Sequence, residues 1–150
     1  MIGWKYLDKR NATIGAIRDY QTMKDIIEIT PAEIKETYEK MVSPCSSRIT
    51  GMPRVKNFRA GEDAVVKSID KLDVMQERYH QAAEYMAWFE PAWESLSNDE
   101  QLILDEFYNS GDLHSGACVR LQHRLLYSER QIHRKKDKAI NRLSHMLFGK

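Results

Sequence analysis

Two cysteines, four prolines and seven glycines are few for 150 residues, and each shortage removes a class of protein. Cys45 and Cys118 stand alone, without a CxxC pair or paired histidines. Neither a disulfide framework nor a metal site is expected, and a reducing cytoplasm suits such thiols. Scarce glycine and proline, with no run of β-branched residues, favour a helical protein. No stretch approaches the roughly 20 uncharged apolar residues of a membrane span. The opening MIGWKYLDKR has no apolar core and no small-residue cleavage site, so it is not expected to act as a signal peptide. A phosphate-cradling glycine loop and a nucleophile–base motif are also missing from the sequence, so no enzyme activity and no cofactor are expected.

What the chain has is charge, unevenly placed. From Leu113 to Lys150 there are nine Lys/Arg against two acids, Glu129 and Asp137, a balance of +7. The remainder carries 14 basic against 20 acidic residues, a balance of −6. The net +1 of the whole chain hides these two parts. Such asymmetry points to a polyanion-binding part joined to a part with another task. Four of the five histidines (His114, His123, His133 and His145) also lie in the basic third.

Hydrophobic periodicity lays out an all-α chain. Ile14, Ile17, Tyr20, Met23 and Ile27 recur at helical spacing between Ala12 and Ile29. Thr30-Pro31-Ala32-Glu33 then has the form of a capping box and a fresh start, leading to about Met41. Two helices and one bent rod both fit. Residues 42–61 hold two prolines and two glycines and form a linker, with Arg48, Arg54, Lys56 and Arg59 available for a basic arm. Glu62 to Glu94 follows a seven-residue grid. Val65, Leu72, Tyr79, Met86 and Trp93 fill one seam, and Ser68, Met75, Ala82 and Phe89 the other. This coiled-coil-like stripe either folds back on the N-terminal helices or pairs with a second copy as a homodimer. Pro91 is expected to kink or end it. Glu84, Glu90 and Glu94 near His80 are expected to form a solvated face.

Three further helices complete the chain. Ser97-Asn98-Asp99-Glu100 caps the first, with Leu102, Ile103, Phe107 and Tyr108 inward. The second runs from about Gly116 to Leu126, with Val119, Leu121, Leu125 and Leu126 as its apolar residues. Ser128-Glu129-Arg130-Gln131 caps the third, which buries Ile132, Ala139, Ile140, Leu143, Met146 and Leu147 and stops at Gly149. Two short helices joined by Tyr127 and Ser128, the second strongly basic, make a helix-turn-helix pattern. Its last helix fits a major groove. Ser128, Arg130, Gln131, His133, Arg134, Lys135, Lys138 and Arg142 are the candidate DNA-contacting residues. Arg suits guanine edges and Gln adenine edges, and Lys135, Lys136, Lys138 and Arg142 suit phosphates. The domains read as 1–95, an acidic helical hairpin for interaction or oligomerisation, and 96–150, a basic DNA-binding domain.

Leu96–Leu147 resembles the fourth conserved region of bacterial sigma factors, through Ser128 at the turn, Ile132, Ala139 and Leu143. Its supporting helix departs from that pattern, with RLQHRLL lacking the usual small residue. DNA specificity therefore does not carry over. Nearly the whole chain is similar to small phage and prophage regulators of the ArpU and RinA group, through SSRITGMPR, the segment from Ala60 to Gln101 and SERQIHRKKDKAINRLSHMLFGK. That resemblance implies a helical hairpin fused to a sigma-like helix-turn-helix. It also implies a transcription regulator of phage late genes in the cytoplasm of a bacterial host. Double-stranded DNA and RNA polymerase would be its partners, with no membrane involved. A packaging protein resembling a small terminase subunit is the competing class, because it too joins a helix-turn-helix to a helical oligomerisation region.

Overall fold

The computed structural model describes residues 8–43, 59–110 and 114–149, and among them five helices and no strand. They are α1 (Lys9–Val42), α2 (Ala60–Glu94), α3 (Asn98–Tyr108), α4 (His114–Leu125) and α5 (Glu129–Phe148). The fold is all-α, as composition and periodicity imply. Most of the linker expected at 42–61, with its basic residues Arg48, Arg54 and Lys56, lies outside the described residues.

The two C-terminal capping boxes form. Ser97 Oγ accepts from Glu100 N while Glu100 Oε2 accepts from Ser97 N at 3.0 Å. Ser128 and Gln131 make the same reciprocal pair at the start of α5. Thr30-Pro31 does not start a helix, because α1 is continuous through it. Thr30 is fully buried, and its hydroxyl accepts from Arg78 Nη2 at 3.2 Å instead of capping. Glu33, the other half of that apparent box, pairs with Arg78 at 2.6 Å. Pro91 likewise does not stop α2, which runs on to Glu94. The end of α2 is closed from outside. Trp93 O accepts from Leu96 N at 3.1 Å and from Gln101 Nε2 at 2.8 Å, and Ala92 O accepts from Ser95 Oγ at 2.6 Å. These bonds satisfy carbonyls that a helix end leaves without partners.

The chain forms two compact units: Met1–Lys24 with Glu84–Lys150, and Asp25–Ala83. The first contains two cores. One joins Ala16 and Ile17 of α1, Phe89, Ala92 and Trp93 of α2, Leu96, Leu104 of α3, and Ala139, Ile140, Leu143 and Leu147 of α5. Tyr20, Tyr85, Phe89 and Trp93 stack within it, with ring centroids 5.2–5.7 Å apart. The Tyr85 hydroxyl donates to Ala16 O. The other core joins Ile103 and Phe107 of α3, Ala117, Cys118 and Leu121 of α4, and Ile132 of α5. Helices α3, α4 and α5 each touch the other two. At about 1.5–3 kcal/mol for each large apolar side chain buried, these cores hold α5 in place. The charge changes sign near Leu113, within the expected 96–150 domain, whereas the packing unit extends back to α1.

In the second unit the seven-residue grid is half realised. Met75 and Ala82 are buried, as is Phe89 in the first unit, all on one seam. On the other seam Val65 and Tyr79 stay exposed, while Trp93 is buried in the first unit. Ile29, Tyr38, Val66, Ile69 and Val74 are exposed as well.

Candidate functional site

Helix α5 has two faces. Ile132, Ala139, Ile140 and Leu143 are fully buried, and Ser144 and Leu147 nearly so. Met146, expected inward, is 42% exposed. The opposite face carries Arg130, Arg134, Lys138, Asn141 and His145, all exposed and spaced by three or four residues. Arg130, Arg134 and Lys138 have no ion-pair partner among the described residues.

The other candidate residues are committed elsewhere to differing degrees. Ser128 is the N-cap of α5, and the Gln131 carbonyl oxygen is occupied by the capping box. Gln131 nevertheless lines one open depression with Arg134, Lys135 and Lys138. Lys135 lies 3.8 Å from Asp99 and 4.4 Å from the centroid of the Tyr127 ring. Arg142 meets Glu100 at 3.5 Å. The three-helix unit thus spends two cations of α5 on acids at the start of α3. His133 points away from the stripe, toward Phe107, at a centroid distance of 5.8 Å.

The approach to α5 is tight. α4 ends at Leu125, and Leu126 takes a left-handed φ of 58° while its N–H donates to Gln122 O at 3.0 Å. Leu126 and Val119, expected as part of the apolar stripe of α4, are 88% and 52% exposed. Leu121 fills the core as expected and Leu125 packs against it, while Ala117 and Cys118 take the remaining places. Tyr127 folds back, its hydroxyl donating to Asp99 Oδ2 at 2.8 Å. Arg120 of α4 pairs with Glu106 of α3. These polar ties fix α3, α4 and the turn around the first residues of α5.

Sequence spacing gave no sign of one further cluster. Cys118 of α4 meets Glu129 and His133 of α5, with one potential donor atom from each inside a 4.8 Å span. It is the only group of three such side chains at that range among the described residues, so the Glu84, Glu90, Glu94 and His80 set does not form one. Burial pushes the Cys118 thiol above its ordinary value, the Glu129 carboxylate adds to this, and Lys136 opposes it. The Lys136 ammonium lies 4.6 Å from the Phe107 ring centroid.

Comparisons with protein-family models, with characterised proteins and with solved structures each give no match to this chain.

Proposed function

We propose that this protein is a sequence-specific, duplex-DNA-binding regulator of transcription that reads DNA with α5. The observation that carries this is the Arg130–Arg134–Lys138 stripe. It is exposed, and unpaired among the described residues, on a helix whose back is sealed into two cores. A helix held this rigidly, entered through a tight capped turn from α4, suits docking in a major groove. Arg130 and Arg134 stand near its N-terminal end, within reach of base edges and of the phosphates that flank them, and Lys138 stands one turn later. In this helix-turn-helix reading α4 supports and α5 recognises. The sigma-region-4-like pattern at Ser128, Ile132, Ala139 and Leu143 supports it, as does the similarity to phage late-gene regulators. The acidic helical part, disfavoured near a polyanion, is left to meet RNA polymerase or a second copy.

The test is fluorescence anisotropy on a mixed-sequence duplex, titrated from low to moderate salt. Three to five phosphate contacts give a slope of log affinity on log salt of about −3 to −5. Absent binding at low salt overturns the proposal.

A second reading rests on the second unit. Val65, Val66, Ile69, Val74 and Tyr79 of α2 are exposed apolar residues of the kind an oligomer covers. A packaging or assembly protein would use the same DNA-binding helix within a ring. Solution mass separates the two: a monomer or a homodimer through α2 supports regulation, and eight or more chains support packaging.

A further inference from the structure

Cys118, Glu129 and His133 come from two helices and meet across the α4–α5 turn. We propose that they form a transition-metal site, with Zn²⁺ as the fitting ion, that ties the supporting helix to the first turn of α5. Its donors are the Cys118 sulfur, whose thiol proton leaves to solvent as the ion binds, a Glu129 carboxylate oxygen and the His133 imidazole. Thiolate and imidazole together select zinc-like ions over calcium or magnesium, which take oxygen ligands.

The geometry is close to what zinc needs. Zn–S of about 2.3 Å and Zn–N or Zn–O of about 2.0–2.2 Å set donors roughly 3.3–3.7 Å apart in a tetrahedron. His133 Nε2 and Glu129 Oε1 are already 3.9 Å apart, and the whole group spans 4.8 Å. Closing the last ångström falls to side chains free to move. Glu129 is 70% and His133 46% exposed, whereas Cys118 is fixed in the core. The pair sits one helical turn apart on α5, which presents both to the same point. The three line one cleft of about 480 Å³ with Phe107, Val119, Gln122 and Lys136. That room leaves the fourth position to water. Lys136 is the opposing charge, and a thiolate and a carboxylate together outweigh it. An open site of this kind exchanges its ion, as a sensor requires.

The consequence for DNA rests on the function proposed above. A bound ion clamps the turn of α5 that carries Arg130 and Arg134, so occupancy should raise DNA affinity.

Cobalt titration of the full chain tests the site, because Co²⁺ bound to thiolate gives a charge-transfer absorption in the near ultraviolet. The expected result is one equivalent of Co²⁺, displaced by Zn²⁺. The band should disappear in Cys118→Ala and persist in Cys45→Ser. Affinity should fall about tenfold or more in the surface variants Glu129→Gln and His133→Gln. No band, or a band that survives Cys118→Ala, overturns the site. DNA anisotropy with Zn²⁺ and with chelator then tests the coupling. A gain of about fivefold or more with Zn²⁺, lost in His133→Gln, is expected. Equal DNA affinity in both states, with a normal cobalt band, overturns the coupling. Absence of DNA binding in both states overturns the DNA-binding proposal, and the cobalt band then judges the site by itself.

Discussion

Neutralising the free stripe of α5 should have a different effect from neutralising its paired cations. In Arg130→Gln/Arg134→Gln/Lys138→Gln three exposed charges, unpartnered among the described residues, disappear from one face. If each meets a phosphate, the salt slope falls by about 0.9 per charge, close to 2.7 for the three. At about 0.1 M salt, one decade below a 1 M reference, the same figure is a loss of roughly 500-fold in affinity. The comparison variant is Lys135→Gln/Arg142→Gln. Those cations already face Asp99 and Glu100, at 3.8 and 3.5 Å. They release fewer counterions on binding, so the slope should change by less than about 1. Anisotropy at four or five salt concentrations measures both slopes. Circular dichroism should show both variants folded, because none of these residues belongs to either core. Equal slope changes in the two variants, or none in the first, would refute the placement of the interface on this stripe.

Leu126 holds a left-handed backbone with its side chain in solvent, so Leu126→Gly should stabilise the protein by about 1 kcal/mol in urea unfolding, against the usual cost of glycine. Phe89→Ala removes the centre of the aromatic stack and should cost about 3–5 kcal/mol, a large part of a typical domain's stability, read by thermal or urea unfolding. Tyr85, Tyr20 and Tyr108 are all pushed upward, first by burial. Their neutral forms stabilise the fold fully below the unfolded value near 10, and stability is lost as pH rises beyond it. Urea midpoints should therefore fall above about pH 10, and Tyr85→Phe should flatten that fall while costing about 1 kcal/mol at neutral pH for its bond to Ala16 O.

Local signals were legible in the sequence where one element decides the outcome. Ser97 and Ser128 cap because each needs only the residue three positions on, and the buried face of α5 follows from its own periodicity. Thr30-Pro31-Ala32-Glu33 has the same local grammar and a different outcome. Arg78, 48 residues away, takes the Thr30 hydroxyl, and Glu33 follows it. A proline in mid-helix removes one backbone donor and crowds the carbonyl four residues before it, yet the long rod of α1 runs on through Pro31. On α4 periodicity named four apolar residues, but a helix of 12 residues buries a narrow stripe, and Ala117 and Cys118 fit it better than Val119. The candidate site was half legible. Charge and spacing marked Arg130, Arg134 and Lys138. The acids that occupy Lys135 and Arg142 lie on α3, beyond the reach of a single-helix pattern. Cys118, Glu129 and His133 were hidden for the same reason, since the turn at Leu126 sets which face of α4 meets α5.

The earliest helix is closed by the last one. Lys9 Nζ reaches Gly149 O, 140 positions away, and Arg10 meets Asp137, 127 positions away, while Ile17 shares a core with Leu143 and Leu147. During synthesis the start of α1 therefore waits, with its apolar side uncovered, until its partners on α5 have emerged from the ribosome. The three-helix unit around Ile103, Leu121 and Ile132 has shorter loops to close and should assemble first, with α1 docking as the slower, final step. A ribosome that stalls before α5 emerges would leave the start of α1 open to chaperones and proteases, so the safety of the first helix depends on uninterrupted translation through the fifth.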